Sequence, residues 1–363
     1  MTSKKYKYIR SLAQDPSETM KAYAIPATPD IFKELLKTQD DELIDSVVRS
    51  INPYILNKNA GLTRILSTTD RANNVQTKLK VALLVHSYYP DSVPDLLKYA
   101  SNMPEDADIY FTTGSDRGAQ EIQKQFDELD IKCGKFEVHV IGNKSSDAGV
   151  LLLDLIHLLD KYDLFCYAHD QNSSYMSLKS FDQDYNSMLF ECNLASKEYV
   201  HNIISEFEAN KHLGLTFPPL AHYANRFPFL CGKYSWNKQH NSTRLLLRSL
   251  DVKNNLPGEF IPLFAPVGSV FWARTNAVRN IFDNSWKYKS LPSSRILRAI
   301  DYIWAYLAAE AGYYSMLTLS ENYFSADFGV YADYLHGTIS TCFQNGIAFG
   351  SLEVVAKSLG GLK

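Results

Sequence analysis

The chain has 363 residues, of which 45% are hydrophobic and 21% charged, and its net charge is −3. This composition excludes a disordered chain, and the slight negative charge excludes a general electrostatic attraction to nucleic acid. Five scattered cysteines, odd in number and without a C-x-x-C pair, indicate reduced thiols rather than a disulfide framework or a zinc site.

Residues 1–78 are predicted to form a helical N-terminal extension. The segment "PDIFKELLKTQDDELIDSVVRSINPYIL" has apolar residues at helical spacing, and Asp30 is placed to cap the first helix. The polar, turn-rich stretch at 66–79 predicts a linker to the region that follows.

From Lys80 onward, predicted strands and helices alternate. The strand-like apolar runs are "KVALLVHSYYPD", "ADIYFTTG", "FEVHVIGN" and "DLFCYA". This order predicts an α/β domain with a mostly parallel sheet and right-handed crossovers. Ligands bind such sheets beyond the carboxyl ends of the strands. The polar residues expected there are His86, Tyr88, Thr113, Asn143, Asp147, His169 and Asp170.

The second half of the chain has a less regular pattern. "HLGLTFPPL" and "FAPVGSVFWAR" predict short strands beside Pro or Gly, and "SSRILRAIDYIWAYLAAEAG" predicts one long helix that ends at Gly312 before a further strand. A weakly amphipathic helix is predicted over 336–363. The expected organisation is therefore an extension at 1–78, a central domain at 79–335 and a helical tail at 336–363.

The segment His169-Asp170-x-Asn172 follows a predicted strand, in the place where a nucleotide-sugar transferase of the GT-A type has its D-x-D motif. Such an enzyme must neutralise the charge of the departing nucleoside diphosphate with a divalent cation or with basic groups. One carboxylate suffices for Mg²⁺ or Mn²⁺, because the diphosphate supplies further oxygen ligands. The alternative is a helix N-cap or a turn.

Four further residues are candidates, each with a structural alternative. Asp147 either caps a helix or orients a ribose or base. Gly268 permits a close approach of backbone to ligand, and Trp272 is either a sugar-stacking floor or a core residue. Asp301 lies in an otherwise apolar helical stripe, where a carboxylate is costly unless it is paired or used. It is either a general base for an acceptor hydroxyl or an ion-pair partner of Arg298 or Arg295, of which only Arg298 has good helical spacing.

No P-loop, dinucleotide-binding, serine-hydrolase or zincin motif is present. Instead, six segments in order resemble the rhamnan synthesis protein F family, glycosyltransferases of rhamnose-containing bacterial polysaccharides, over about residues 80–325. The matching segments are 85–89, 143–149, 162–173, 213–219, 268–274 and 299–314. The chain departs from the family pattern at Ser146, at Gln171-Asn172 and at Asp301-Tyr302, where basic residues are lost. These losses indicate a different sugar nucleotide or a greater reliance on a metal.

The resemblance implies a GT-A-like glycosyltransferase domain that transfers L-rhamnose from dTDP-L-rhamnose, with inversion, to a polysaccharide or lipid-linked glycan. The implied roles are base for Asp301, binding of a Mg²⁺- or Mn²⁺-diphosphate for His169 and Asp170, nucleoside binding for Asn143 and Asp147, and sugar or acceptor binding for Gly268 and Trp272. One alternative is another donor, such as a UDP-hexose or UDP-N-acetylhexosamine. The other is a non-catalytic glycan-binding or scaffold subunit.

The expected location is the cytoplasm. The basic start "MTSKKYKYIR" lacks the apolar segment of a signal peptide, and no run approaches the ~18 apolar residues of a membrane span. A peripheral contact with the inner face of the membrane, through the basic start or the 350–363 helix, is kept as an alternative.

Overall fold

The computed structural model describes residues 30–71, 78–141, 149–170, 179–220, 236, 238–253, 256–259, 261–283 and 298–344. The chain divides into two compact units, Met1–Glu321 and Asn322–Lys363. The described residues of the first unit form an eight-stranded sheet. Its strands are β1 (Thr63–Leu66), β2 (Val81–Ser87), β3 (Asp108–Thr113), β4 (Lys135–Val140), β5 (Leu164–His169), β6 (Leu213–Phe217), β7 (Phe271–Arg274) and β8 (Tyr314–Ser320).

The sheet is mixed but mostly parallel, with the order β1-β8-β6-β7-β5-β2-β3-β4. Only β7 runs antiparallel to its neighbours β5 and β6 among these strands, and the remaining pairs are parallel. The predicted α/β class with a mostly parallel sheet is confirmed, and it is consistent with a GT-A-like glycosyltransferase fold. The other seven strands end at one edge of the sheet, here called the carboxyl rim, and β7 begins there.

Helices precede, separate and follow these strands in the sequence of the described residues. They are α1 (Asp30–Thr38), α2 (Asp41–Ser50), α3 (Pro53–Ala60), α4 (Val93–Ala100), α5 (Asp116–Glu128), α6 (Ile156–Leu159), α7 (Lys179–Leu194), α8 (Lys197–Ala209), α9 (His240–Ser249), α10 (Arg279–Asp283), α11 (Trp304–Glu310) and α12 (Glu321–Gln344). Short 3₁₀ helices cover Pro90–Ser92, Thr275–Val278 and Arg298–Tyr302, and a π-helical turn covers Val150–Asp154. Side-chain caps fix the starts of α2 and α3, where Asp40 and Asn52 accept backbone hydrogen bonds.

The N-terminal segment is helical in α1 to α3 but then contributes a strand to the sheet. β1 pairs in parallel with β8, with Thr63 opposite Leu317. This strand lies inside the predicted helical extension, and a run of four residues is too short to reveal a strand period. The boundary at residues 78–79 stays a prediction.

One face of the sheet carries a large hydrophobic core. Leu84, Tyr110 and Tyr167 from β2, β3 and β5 belong to a single buried cluster, together with Phe271 of β7 and residues of the segment 299–308. Because side chains alternate along a strand, the next positions on this face are occupied by His86, Thr112 and His169. The hydrophobic face therefore ends in polar side chains at the carboxyl rim.

The long helix predicted to end at Gly312 is divided in its described part. A 3₁₀ helix covers Arg298–Tyr302 and α11 begins only at Trp304. Only Ile303 separates the two helices, and residues 300–304 include two isoleucines, a tyrosine and a tryptophan, which have modest helix propensity. The strand predicted after Gly312 is present as β8.

The second unit consists, in its described part, of α12 from Asn322 onward. Residues 336–344 of the predicted tail helix are helical, and the rest of that prediction lies outside the described residues. Within α12 the rings of Phe324 and Phe328 are 5.7 Å apart. No helix among the described residues of the chain is long and apolar enough to cross a membrane.

Candidate functional site

Four neighbouring strands bring polar side chains together at the carboxyl rim. His86 of β2 is opposite His169 of β5 on one side and Thr112 of β3 on the other. His139 of β4 continues the row, opposite Thr112. We call these four residues the polar row. His86, Thr112 and His169 are buried, so their polar atoms need partners within the protein or from a ligand.

Hydrogen bonds fix the orientation of both buried imidazole rings. The Thr112 hydroxyl donates to the Val85 carbonyl at 3.3 Å, so its oxygen accepts from Nδ1–H of His86 at 2.9 Å. Nδ1 of His169 lies 3.0 Å from the main-chain carbonyl of Asp170, which can only accept. Both rings therefore carry a proton on Nδ1, and Nε2 is the atom that can accept or release a proton.

Asp170 is bound to the loop that follows β2. Its Oδ1 accepts from the amide of Tyr88 at 2.8 Å, its Oδ2 accepts from the amide of Tyr89 at 2.7 Å, and the Ser92 hydroxyl donates to the same Oδ2. The carboxylate is 6% exposed. Asp170 thus connects the end of β5 to the short helix Pro90–Ser92.

The loop held by Asp170 presents an aromatic side chain at the carboxyl rim. Tyr88 is 50% exposed, and its ring lies edge-on to that of His86, with the centroids 6.1 Å apart. The neighbouring Tyr89 ring is 5.0 Å from it. An exposed aromatic face at a ligand-binding edge can stack on a base or sugar.

Thr113 is placed at the rim but is buried beneath the following helix. Its hydroxyl oxygen would lie 2.7 Å from a Cβ at Gly118, in the first turn of α5. Ser115 caps that helix by accepting from the amide of Gly118 at 3.1 Å. Thr113 therefore packs against the start of α5, and its predicted contact with a ligand stays a prediction.

A strained turn brings Asp301 to the rim next to β5. Gly268 and Ser269, just before β7, have φ values of +94° and +50°, the second of which is uncommon for a residue with a side chain. The hydroxyl of Ser269 donates to Oδ1 of Asp301 at 2.5 Å. Since β7 runs antiparallel to β5, with Phe271 opposite Tyr167, the turn lies at the end of the sheet where His169 emerges.

Trp272 lies in the core and does not form a ligand-binding surface. It is 0% exposed, and its indole N–H donates to the Asn193 carbonyl at 3.0 Å. A sugar needs an open ring face on which to stack, and this ring has none. The predicted role of Trp272 as a sugar-stacking floor is corrected accordingly.

The pair His169 and Asp170 does not fit a divalent cation. Both Asp170 oxygens are engaged by backbone amides, and Nδ1 of His169 is engaged by the Asp170 carbonyl. Mg²⁺ and Mn²⁺ favour carboxylate and water oxygens in an octahedral arrangement, which requires carboxylate oxygens that are not already held by other donors. Within the described part of the chain, no group of three His, Cys, Asp or Glu side chains could hold a metal ion. The mechanism proposed below uses no cation.

Two predicted site residues, Asn143 and Asp147, lie outside the described residues, as do Ser146, Gln171 and Asn172. Among the described cysteines, Cys133, Cys166 and Cys192 form no disulfide bond. Burial raises the pKa of the Cys166 thiol.

Sequence analysis did not assign roles to Ser269, Ser92 or His139. Ser269 and Ser92 act through hydrogen bonds to residues 32 and 78 positions away, which no local pattern reveals. His139 lies one residue before the end of β4, but the predicted strand continued to residue 143, so the sequence placed His139 inside the strand and not at its tip.

The sequence was compared with known families and proteins. The model of a family described as rhamnan synthesis protein F matches residues 20–313. The matched segment contains β1 to β7, the polar row, Asp170 and Asp301. No curated protein matches the chain.

Proposed function

The chain belongs to the rhamnan synthesis protein F family, and on that premise we propose that it transfers a sugar from a nucleotide donor to a glycan. The proposed donor is dTDP-L-rhamnose, the acceptor is a growing polysaccharide or lipid-linked glycan, and the reaction inverts the anomeric carbon. Membership itself connects the chain with rhamnan synthesis and thus with glycosyl-transfer chemistry.

The observation that carries this proposal is that His86, His169 and Asp301 all lie at the carboxyl rim, at the ends of the neighbouring strands β2, β5 and β7. In open α/β sheets ligands bind at this edge. Two imidazoles with a fixed Nδ1 proton and a carboxylate held by a hydroxyl are groups that can move protons and stabilise charge.

Asp301 is proposed to activate the acceptor. Its carboxylate takes the proton of an acceptor hydroxyl while the hydroxyl oxygen attacks the anomeric carbon. The bond between that carbon and the diphosphate oxygen breaks, and its electron pair leaves with the diphosphate. The Ser269 hydroxyl, 2.5 Å from Oδ1, orients the carboxylate for this attack.

His86 and His169 are proposed to stabilise the departing diphosphate. With Nδ1 already bonded to Thr112 or to the Asp170 carbonyl, a protonated ring presents Nε2–H to a phosphate oxygen. Such preorganised donors act strongly in a buried site. The positive φ of Gly268 allows its backbone to approach the donor sugar closely. Asn143 and Asp147 remain proposed ligands of the nucleoside.

The experiment measures release of dTDP from dTDP-L-rhamnose and transfer of labelled rhamnose to a glycan-lipid extract. Asp301→Asn should lower kcat by about 100-fold or more, because general bases contribute about 10²–10⁴-fold, and should leave the dTDP affinity unchanged. Asp127→Asn, on the exposed side of α5, is the matched control and should have full activity.

Thermal stabilisation by dTDP, UDP and GDP sugars tests the donor class. A ligand at 100 times its Kd stabilises by about 2.7 kcal/mol. If only a UDP-hexose stabilises the protein, the donor is a UDP-hexose and the proposal of dTDP-L-rhamnose is wrong. Glycan binding without binding of any nucleotide would refute transfer and favour a scaffold subunit.

A further inference from the structure

Asp170 fills an anion-binding position with a carboxylate of the chain itself. The amides of two consecutive residues, Tyr88 and Tyr89, point at its oxygens at 2.8 and 2.7 Å, and the Ser92 hydroxyl joins them. Oriented backbone N–H groups carry fixed partial positive charge. A carboxylate that satisfies three donors of one loop fixes the conformation of that loop.

The loop fixed in this way carries Tyr88. Among the described residues of the first unit, Tyr88 is the most exposed large aromatic side chain, at 50%. Its ring forms a T-shaped pair with the ring of His86, a member of the polar row. A tyrosine has only two side-chain torsions, so a ring on a fixed backbone loses little entropy when a ligand stacks on it.

We propose that Asp170 is a positioning residue, which holds residues 88–92 so that Tyr88 stacks on the base of the nucleotide donor. Asp170 then contributes to donor binding through Tyr88 and not as a ligand of a cation. This inference rests on the proposed function and deepens it by naming the subsite for the base. Because every base has a π-face, stacking there is tolerant of base identity.

The test measures the affinity for dTDP by calorimetry in EDTA. Tyr88→Ala should weaken binding by roughly tenfold, within the range found when a base-stacking aromatic is removed, and Tyr88→Phe should bind within about twofold of wild type. Asp170→Asn should weaken binding to a similar degree, because the Asn side chain turns an N–H toward one of the loop amides. The double variant Tyr88→Ala/Asp170→Asn should be no weaker than the weaker single variant, since both act through one ring.

A rescue experiment separates positioning from general damage to the fold. In Asp170→Ala, added formate can occupy the position between the two amides and should restore much of the dTDP affinity. Formate should have no effect on Tyr88→Ala. Tyr88 has an exposed side chain, so its variants should keep the melting temperature of wild type even where Asp170 variants do not.

Two results would overturn the inference. If wild type binds dTDP in EDTA and Tyr88→Ala binds it with the same affinity, Tyr88 is not the stacking residue. If wild type binds dTDP only with Mn²⁺, and Asp170→Asn abolishes this while Tyr88→Ala does not, Asp170 is a metal ligand. Absence of nucleotide binding by wild type with or without Mn²⁺ would instead refute the proposed function and this inference together.

Discussion

Substitution of Trp272 by Phe tests the core role that its burial indicates. The change removes the indole N–H that donates to the Asn193 carbonyl at 3.0 Å and leaves a buried acceptor without that bond. An unsatisfied buried group costs about 1–3 kcal/mol, and the cavity left by the smaller ring adds about 1 kcal/mol. We expect a loss of about 2–4 kcal/mol, or about 3–6 °C in Tm at an unfolding entropy of about 2.1 cal/mol/K per residue, with unchanged affinity for dTDP-L-rhamnose.

The chain provides a matched control for this experiment. Trp236 is also buried, and its indole N–H donates to the Ile261 carbonyl at 2.8 Å. Trp236→Phe should therefore lower stability by a similar amount in urea unfolding, again without an effect on donor affinity. The reasoning fails if Trp272→Phe weakens donor binding more than tenfold at unchanged Tm while Trp236→Phe does not.

Three further predictions concern contacts at and around the sheet. Ser269→Ala should lower kcat by about 10- to 100-fold with KM unchanged, because small misplacements of a catalytic group have effects of this size; Ser269→Gly should be equally impaired, and a Gly variant with full activity would show that only backbone strain matters. The pKa of Glu321 is lowered by hydrogen bonds from the Thr68 amide, then from the hydroxyls of Thr68 and Ser67, so its stabilising effect is present above the ordinary value of 4.5 and is lost as pH falls through the lower folded-state value. Urea unfolding midpoints measured from pH 7 to 3 should show that Glu321→Gln is less stable than wild type at neutral pH, and this difference in stability should disappear in acid. A difference that stays constant with pH would contradict the assignment. Gly214→Ala would place a Cβ 2.5 Å from Cβ of Tyr313 and should cost about 1–3 kcal/mol in the same unfolding assay; Gly258→Ala, with no atom within 4 Å, is the control, and equal stability of the two variants would refute the packing.

The sequence predicted those parts of the fold that depend on continuous local patterns. β2 is buried at all seven positions, and its unbroken apolar run predicted a central parallel strand. The direction of β7 was not predictable, because four residues do not show which neighbours a strand will have. Trp272 shows the same limit at one side chain. Both faces of β7 are covered, so alternation along the strand cannot separate a core residue from a ligand-binding one.

The sequence predicted the location of the candidate site better than it predicted the role of each residue there. His86 and His169 were expected at strand ends, and parallel pairing brings them opposite each other. The partners of Asp170 are 78 to 82 residues away in sequence. Whether an aspartate after a strand binds a metal or a loop depends on where that loop lies. Only the three-dimensional structure gives that information.

The two rim carboxylates differ in the kind of donor that holds them, and this difference favours Asp301 over Asp170 as the base. Asp170 accepts from two backbone amides in addition to the Ser92 hydroxyl, and because the amides cannot turn away, a proton on the carboxylate would displace a bond that fixes the loop. Asp301 accepts from a serine hydroxyl, which can rotate about its C–O bond and accept from the newly protonated acid. A general base must hold a proton at one stage of the reaction and release it at another. The rotatable Ser269 hydroxyl therefore suits Asp301 to this role better than the fixed amides suit Asp170.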